Sequence, residues 1–179
     1  MSIITIQRYM SPCGELIIGS LDGCLCLCDW VGGRHRHSTE LRLKRLLNAE
    51  YQEGSSNVIE VACRQLDEYF RGERRVFDLP LLFAGSSFQK MVWKELLNIP
   101  YGTTISYGEM SRRLGMPKAV RALANANGAN AISVVVPCHR VVGSNGSLTG
   151  YGGGLDVKRF LLNLENLERN CGTAHEVNS

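Results

Sequence analysis

SYGEMSRRLGMPKAVRALANANG, residues Ser106 to Gly128, opens on one helix-start signal and carries a second in its middle. Ser106 with Glu109 three residues later predicts a capping box, the serine oxygen taking an orphan amide and the glutamate returning to the serine amide. That starts a helix over Tyr107 to Leu114. Gly115 suits the left-handed residue that closes it, and Pro117 suits the first turn of a second helix, Lys118 to Asn127, with Gly128 as its stop. Two helices joined by a three-residue turn make a helix-turn-helix, a unit that binds DNA in some proteins and only packs in others. The second helix is lined with small side chains, and Arg121 is its only long one after the first turn.

Downstream, Val136-Pro137-Cys138-His139-Arg140-Val141 reads as an apolar strand, Ile132 to Val136, cut by proline and delivering a cysteine and a histidine together. Cysteine chemistry needs the thiolate, hence a base or a cation, and His139 and Arg140 stand beside Cys138. The competing reading is a small buried hydrophobe. On the final helix Val157, Phe160, Leu161 and Leu164 define an apolar face. Glu165 sits at its edge, where it can turn inward or stay solvated.

Upstream, Ile3 to Arg8, Leu16 to Ser20 and Cys24 to Val31 read as short strands around the turn signals Ser11-Pro12 and Asp22-Gly23. Helical spacing follows over Leu41 to Ala49 and Val58 to Phe70, and a further helix starts near Ser87. The expected fold is therefore α/β: a small N-terminal α/β domain with a short antiparallel sheet (1–80), a linker (81–86), a mainly α-helical C-terminal domain with the helix-turn-helix and Cys138 (87–170), and a polar tail expected to fray (171–179).

The 179 residues carry a net charge of only +3, but its distribution is uneven. Residues 1–85 hold ten Lys/Arg against eleven Asp/Glu, and residues 86–170 hold ten against five. A basic second half is compatible with phosphate contact. No apolar run approaches the ~20 residues of a membrane span, and the first residues lack a signal-peptide layout. Seven cysteines without a disulfide-framework spacing point to a reducing compartment, read as the cytoplasm. Cys24, Cys26 and Cys28, with Cys13, His35 and His37 nearby, invite a zinc site, but the Cys-x-Cys-x-Cys spacing favours packed thiols. The expectation is no metal.

Pro137-Cys138-His139-Arg140-Val141-Val142-Gly143, followed by Gly150-Tyr151-Gly152-Gly153-Gly154-Leu155, resembles the active-site signature of the O6-alkylguanine-DNA alkyltransferases. The resemblance continues through Tyr101-Gly102, Ile105-Ser106-Tyr107, Lys118-Ala119-Val120-Arg121, Asn130, Lys158 and Glu165, and is close from Phe88 to Leu167. It implies a ribonuclease H-like first domain and a monomer that binds double-stranded DNA containing O6-alkylguanine. The implied reaction is a cofactor-free, single-turnover transfer of the alkyl group from O6-guanine, or from O4-thymine, to Cys138. By the same resemblance His139 deprotonates the thiol through a water, Glu165 orients His139, and Asn130 braces the active-site turn. Tyr107, Tyr151, Lys158 and the backbone at Val141 and Gly152 hold the base or the site. Arg121 fills the gap left by the extruded base, and Lys118 touches phosphate. Ala131 and Ser133 stand where many or some members have proline, which is expected to loosen the turn and to narrow tolerance of bulky groups. Two other classes stay open. A non-catalytic lesion-binding module would lack the acceptor cysteine, and a cysteine hydrolase would turn over repeatedly and need an oxyanion hole.

Overall fold

The computed structural model describes the backbone of residues 1–176 and the side chains of residues 1–166. The first half is built on β1 (Ser2–Ser11), β2 (Gly14–Leu21) and β3 (Cys24–Trp30), an antiparallel meander at the expected places. Asp22 and Gly23 both take positive φ (50° and 78°), as a two-residue hairpin with right-handed strand twist requires. The sheet has a fourth strand that the sequence reading lacks. Helix α1 runs Arg36–Leu47, earlier than the expected Leu41 to Ala49, and Asn48 closes it in the left-handed conformation (φ 46°). Ala49 thereby opens β4 (Ala49–Glu53), which lies parallel to β1 and gives the order β3-β2-β1-β4. Helix α2 (Asn57–Phe70), capped by Ser56, lays Ile59, Ala62 and Leu66 against the sheet.

The free edge of β3 is covered by the chain around residues 80–82 and by the second half. Leu25 donates to the Pro80 carbonyl (2.8 Å) and accepts from Leu82 N–H (2.9 Å); three residues on, Cys28 donates to Ala131 (2.8 Å) and accepts from Ser133 (2.7 Å). The segment carrying the Pro137-Cys138 motif is thus hydrogen-bonded to the first-half sheet.

Helix α3 (Ser87–Leu96) begins with a reciprocal capping box, Gln89 N–H to Ser86 Oγ (3.1 Å) and Ser86 N–H to Gln89 Oε1 (2.9 Å). It packs on the helix-turn-helix and is pinned there by Trp93, whose Nε1 donates to the Ala126 carbonyl (2.8 Å). At Ser106 only half of the expected box exists: Ser106 Oγ accepts from Glu109 N–H (3.0 Å), while the Glu109 carboxylate turns to Arg112 and Arg113. The guanidinium groups outcompete the backbone amide because they add charge to the hydrogen bond. Helix α4 spans Tyr107–Arg113, and Gly115 takes the left-handed conformation as expected (φ 69°). Helix α5 spans Val120–Gly128, two residues later than the sequence suggests, because Pro117 and Lys118 sit in a turn closed by Ala119 N–H on the Met116 carbonyl. The connection is accordingly longer than three residues, and Gly128 is the last helical residue, not the stop.

Helix α6 runs Leu155–Glu176; the rest of the 171–179 tail lies outside the described residues. No helix among the described residues is long and apolar enough to cross a membrane. Ser106→Ala removes the one side-chain cap of α4 and is expected to cost about 1 kcal/mol, a fall in Tm of about 2–4 °C by calorimetry. Glu109→Ala, which a complete box would penalise as much as loss of the serine, is expected to cost less than Ser106→Ala, because only exposed ion pairs to Arg112 and Arg113 are lost.

Candidate active site and nucleic-acid face

The run Ile132 to Val136 is not a strand. Only Ile132 bridges β3; residues 133–135 form a turn in which Val135 N–H returns to Ser133 and Val136 N–H to Ile132. Asn130 causes the curl. Its Nδ2 donates to the carbonyls of Val136 (3.0 Å) and Ile132 (3.4 Å), and its Oδ1 accepts from Ile132 N–H (3.0 Å). Val134 is driven to φ 70°, a conformation that a β-branched residue adopts only under constraint. Asn130 thus holds three backbone groups of the turn, with Ala131 standing where proline would stiffen it.

Cys138, His139 and Arg140 form a single 3-10 turn, so thiol and imidazole diverge by helical geometry and not by strand alternation. Val141–Val142 (β6) then pairs in parallel with Ile105–Ser106 (β5), which fixes the active-site turn beside the N-cap of α4.

Glu165, on the inner face of α6, is 1% exposed, and His139 is fully buried. The carboxylate meets His139 Nε2 at 3.1 Å, takes Arg140 Nε at 3.0 and 3.2 Å on its two oxygens, and accepts from the Tyr69 hydroxyl at 3.3 Å. Burial alone would raise the Glu165 carboxyl, but the His139 and Arg140 contacts reverse this and hold it at about 2. An ionised Glu165 makes Nε2 the protonated ring nitrogen. His139 Nδ1 is then an acceptor, buried and without a hydrogen-bond partner among the described residues. Burial lowers the pKa of His139 below its ordinary value despite the raising effect of Glu165, so the ring is a neutral base at physiological pH.

Three expectations are corrected. Arg140 does not assist the thiol; it points away to Glu165 and to the Ile99 carbonyl (2.7 Å). The resting thiol is not activated, because burial pushes Cys138 up to about 11, and Asn130 and Lys158 offset only part of the shift. The inner stripe of α6 is Lys158, Leu161 and Glu165, whereas Phe160 is 37% exposed. An i, i+3, i+7 stripe with two ionisable residues is invisible to a search for apolar periodicity.

Lys158 is fully buried, and its ammonium donates to the carbonyls of Val141 (2.7 Å) and Thr149 (2.9 Å). It ties the loop after β6 to the active-site turn. That loop is also clipped to the first half: Trp30 Nε1 donates to the Tyr151 hydroxyl (3.1 Å), and Arg34 N–H donates to the Gly152 carbonyl (3.0 Å). Gly153 has to be glycine, because a Cβ there would lie 2.6 Å from the Trp30 ring. The carbonyls of Val141 and Gly152 thus already accept protein hydrogen bonds, leaving each one lone pair for a ligand.

Two cavities meet here. A chamber of ≈ 20 Å³ beside Cys138 is walled by Asp29, Thr39, Asn127, Asn130, Ser133 and Tyr151. A groove of ≈ 860 Å³ lies outside it between α1 and α5, with Arg34, Arg42, Tyr107, Lys118, Arg121 and Tyr151 in its walls. Cys138, His139, Glu165, Asn130, Lys158 and Val141 therefore form one buried cluster, and Tyr107, Lys118 and Arg121 a separate surface, with Tyr151 and Gly152 between them. Sequence reasoning missed the contribution of the first half, namely Asp29, Thr39, Trp30 and His35, which lines both cavities. The only hint was an acid ending the apolar run Cys24 to Cys28. Those cysteines pack as buried side chains at Cys26 and Cys28, and burial pushes the Cys26 thiol up to about 12.

Comparison with known proteins places this geometry. Residues 4–83 match the ribonuclease-like domain, and residues 87–167 the DNA binding domain, of 6-O-methylguanine DNA methyltransferase. The chain is 56% identical over 157 residues to the methylated-DNA–protein-cysteine methyltransferase of Methanosarcina acetivorans, covering 88% of this chain and 95% of that one. It is 42% identical over 163 residues to the constitutive enzyme of the same name from Bacillus subtilis, covering 88% and 92%. The crystal structure of Mycobacterium tuberculosis OGT in complex with DNA superposes with a TM-score of 0.79 at 39% identity, covering 92% of this chain and 94% of that one. Matched along both halves, in sequence and in architecture, the chain belongs to the methylated-DNA–protein-cysteine methyltransferase family.

Proposed function

We propose that this chain repairs DNA by moving the alkyl group of O6-alkylguanine onto Cys138, once per molecule and without a cofactor. It would act as a monomer of two units, residues 1–80 and 87–170, joined through 81–86. The observation that carries the reading is a buried Cys138–His139–Glu165 cluster directly beneath a groove lined by the helix-turn-helix.

With its pKa pushed up by burial to about 11, the thiol stays protonated at neutral pH. Ionisation must therefore be coupled to transfer. His139 Nδ1 takes the thiol proton through a bridging water, and Glu165 stabilises the imidazolium in place. The sulfur attacks the alkyl carbon, the C–O6 bond breaks as the C–S bond forms, and guanine leaves with the bonding pair and takes up a proton. The thioether is not hydrolysed, so the protein is spent.

Cys138 is 5% exposed, and the chamber beside it is far smaller than a purine. A guanine in a duplex cannot reach it, so the base must leave the stack and enter from the groove. Arg121, exposed on α5 among small side chains, is placed to fill the vacated position, while Tyr107 flanks the groove and Lys118 is free to meet phosphate. The tuberculosis relative, similar in both fold and sequence, is seen in complex with DNA, which supports the same partner here.

Cys138→Ser is expected to abolish transfer while retaining binding to alkylated duplex, and the wild-type protein to plateau at one alkyl group per molecule by intact mass; repeated turnover would exclude the mechanism. Glu165→Gln is expected to slow single-turnover alkylation by at least tenfold. Without the carboxylate the His139 pKa falls further, so the acid limb of the pH–rate profile moves to lower pH. An unmoved profile would make Glu165 purely structural. Arg121→Ala is expected to impair repair of duplex DNA much more than alkylation by free O6-benzylguanine. Lys118→Ala is expected instead to weaken binding to all duplexes and to reduce the salt slope by about 0.9. Equal losses on duplex and free base for Arg121→Ala would remove its role in extrusion.

A further inference from the structure

Two buried acceptors in the wall of the Cys138 chamber have no hydrogen-bond donor among the described residues: Asp29 Oδ2 and Asn127 Oδ1. Both side chains are fixed by their other polar atom. Asp29 Oδ1 accepts from Trp30 N–H (3.0 Å), and Asn127 Nδ2 donates to the Cys138 carbonyl (3.4 Å). Their backbones are fixed as well, Asp29 at the end of β3, whose preceding residue is hydrogen-bonded to Ala131 and Ser133, and Asn127 in the last turn of α5. Asp29 is 8% exposed and Asn127 4%, so neither acceptor is served by bulk solvent. Buried acceptors are nearly always paired, and two that share one chamber are suited to a donor that arrives with the ligand.

The chamber decides what that donor can be. At ≈ 20 Å³ it has room for one water-sized group. Cys138, Asp29 and Asn127 line this one chamber, so the far end of an alkyl group delivered to Cys138 would share it with the two acceptor side chains. A methyl group does not reach across. A terminal methyl on a longer chain would be packed against two unpaired oxygens, whereas a terminal hydroxyl would donate to one of them at no cost in volume. Burial lifts the Asp29 carboxyl, and the Trp30 N–H, with Arg36 and Arg42, pulls it back only in part, to about 6. At neutral pH it is still mainly an anion, which strengthens its attraction for a hydroxyl and repels a second carboxylate.

We propose that Asp29 is a specificity-determining residue whose free carboxylate oxygen, with the amide oxygen of Asn127, selects O6-alkyl groups bearing a hydroxyl, such as 2-hydroxyethyl, over apolar groups of the same size. The proposal rests on Cys138 being the alkyl acceptor. The transfer itself is unchanged: the C–O6 bond breaks, the C–S bond forms, and the hydroxyl keeps its proton as a hydrogen-bond donor. Sites built to hydrogen-bond a substrate hydroxyl discriminate strongly against analogues lacking it, because the site's own polar groups are then left unpaired.

The test uses full-length protein and four duplexes differing only in the O6 substituent: methyl, 2-hydroxyethyl, propyl and carboxymethyl. Each single-turnover rate is divided by the methyl rate of the same protein. Wild-type protein is expected to transfer hydroxyethyl at least about tenfold faster than propyl, which matches it in heavy atoms. Asp29→Leu is expected to bring that ratio to about one or to invert it. A wild-type ratio at or below one, or a ratio unchanged in Asp29→Leu, would overturn the proposal. Should the leucine variant fail to fold, Asp29→Asn keeps the size and an acceptor while removing the charge, and is expected to raise carboxymethyl transfer about tenfold relative to methyl. An unchanged carboxymethyl rate counts against Asp29 equally. Methyl transfer to Cys138 without any hydroxyl preference would remove the role of Asp29 and leave that of Cys138, whereas no adduct on Cys138 from any duplex would remove both.

Discussion

A carboxylate with 1% exposure is tolerated inside a protein only where its charge is met on several sides, and Glu165 is met by Arg140, His139 and the Tyr69 hydroxyl. That requirement organises the second half of the chain. It forces Arg140 inward, away from the thiol two residues before it, and it dictates which imidazole nitrogen carries the proton. It also draws α6 against the 3-10 turn of Cys138, His139 and Arg140. Removing one partner of such a buried group typically costs about 3–5 kcal/mol, so the network that sets up the chemistry also supports the fold.

The cysteine itself is held in a protonated, enclosed state. Burial keeps the proton on sulfur, and the neighbouring His139 is neutral, so neither group is charged at rest. The loop bearing Tyr151 and Gly152 closes the chamber because Lys158 ties it to the active-site turn and Trp30 and Arg34 tie it to the first half. The Cys138 thiol is thereby enclosed at 5% exposure, and in the proposed reaction it is reached only by a nucleobase entering from the groove.

Local signals were legible where they have local causes. The left-handed Gly115, the Asp22-Gly23 hairpin and the start of α2 follow from turn chemistry and periodicity within a few residues. The strand β4 was not legible, since its Glu50, Gln52 and Glu53 look like loop and its pairing partner β1 lies some forty residues earlier. Ile132 to Val136 misled in the opposite direction. A run of β-branched residues has strand propensity, but the Asn130 side chain captures three backbone groups and bends the chain. At the site, the Cys138-His139 pair stood out by motif and Glu165 only through its resemblance to a family pattern. Asp29 and Asn127 gave no motif at all, because their position beside Cys138 comes from packing one half of the molecule on the other.

That packing has a consequence for any attempt to divide the molecule. The outer edge of β3 takes its hydrogen bonds at Leu25 from residues 80 and 82 and at Cys28 from residues 131 and 133, the latter in the second half. Cut away, the first half would present the end of β3 around Cys28 as an open strand border, its amide and carbonyl deprived of Ala131 and Ser133. Such a border is a template for another copy of itself. The segment that leads into Cys138 therefore also acts as a cover that keeps the neighbouring sheet from propagating into aggregates.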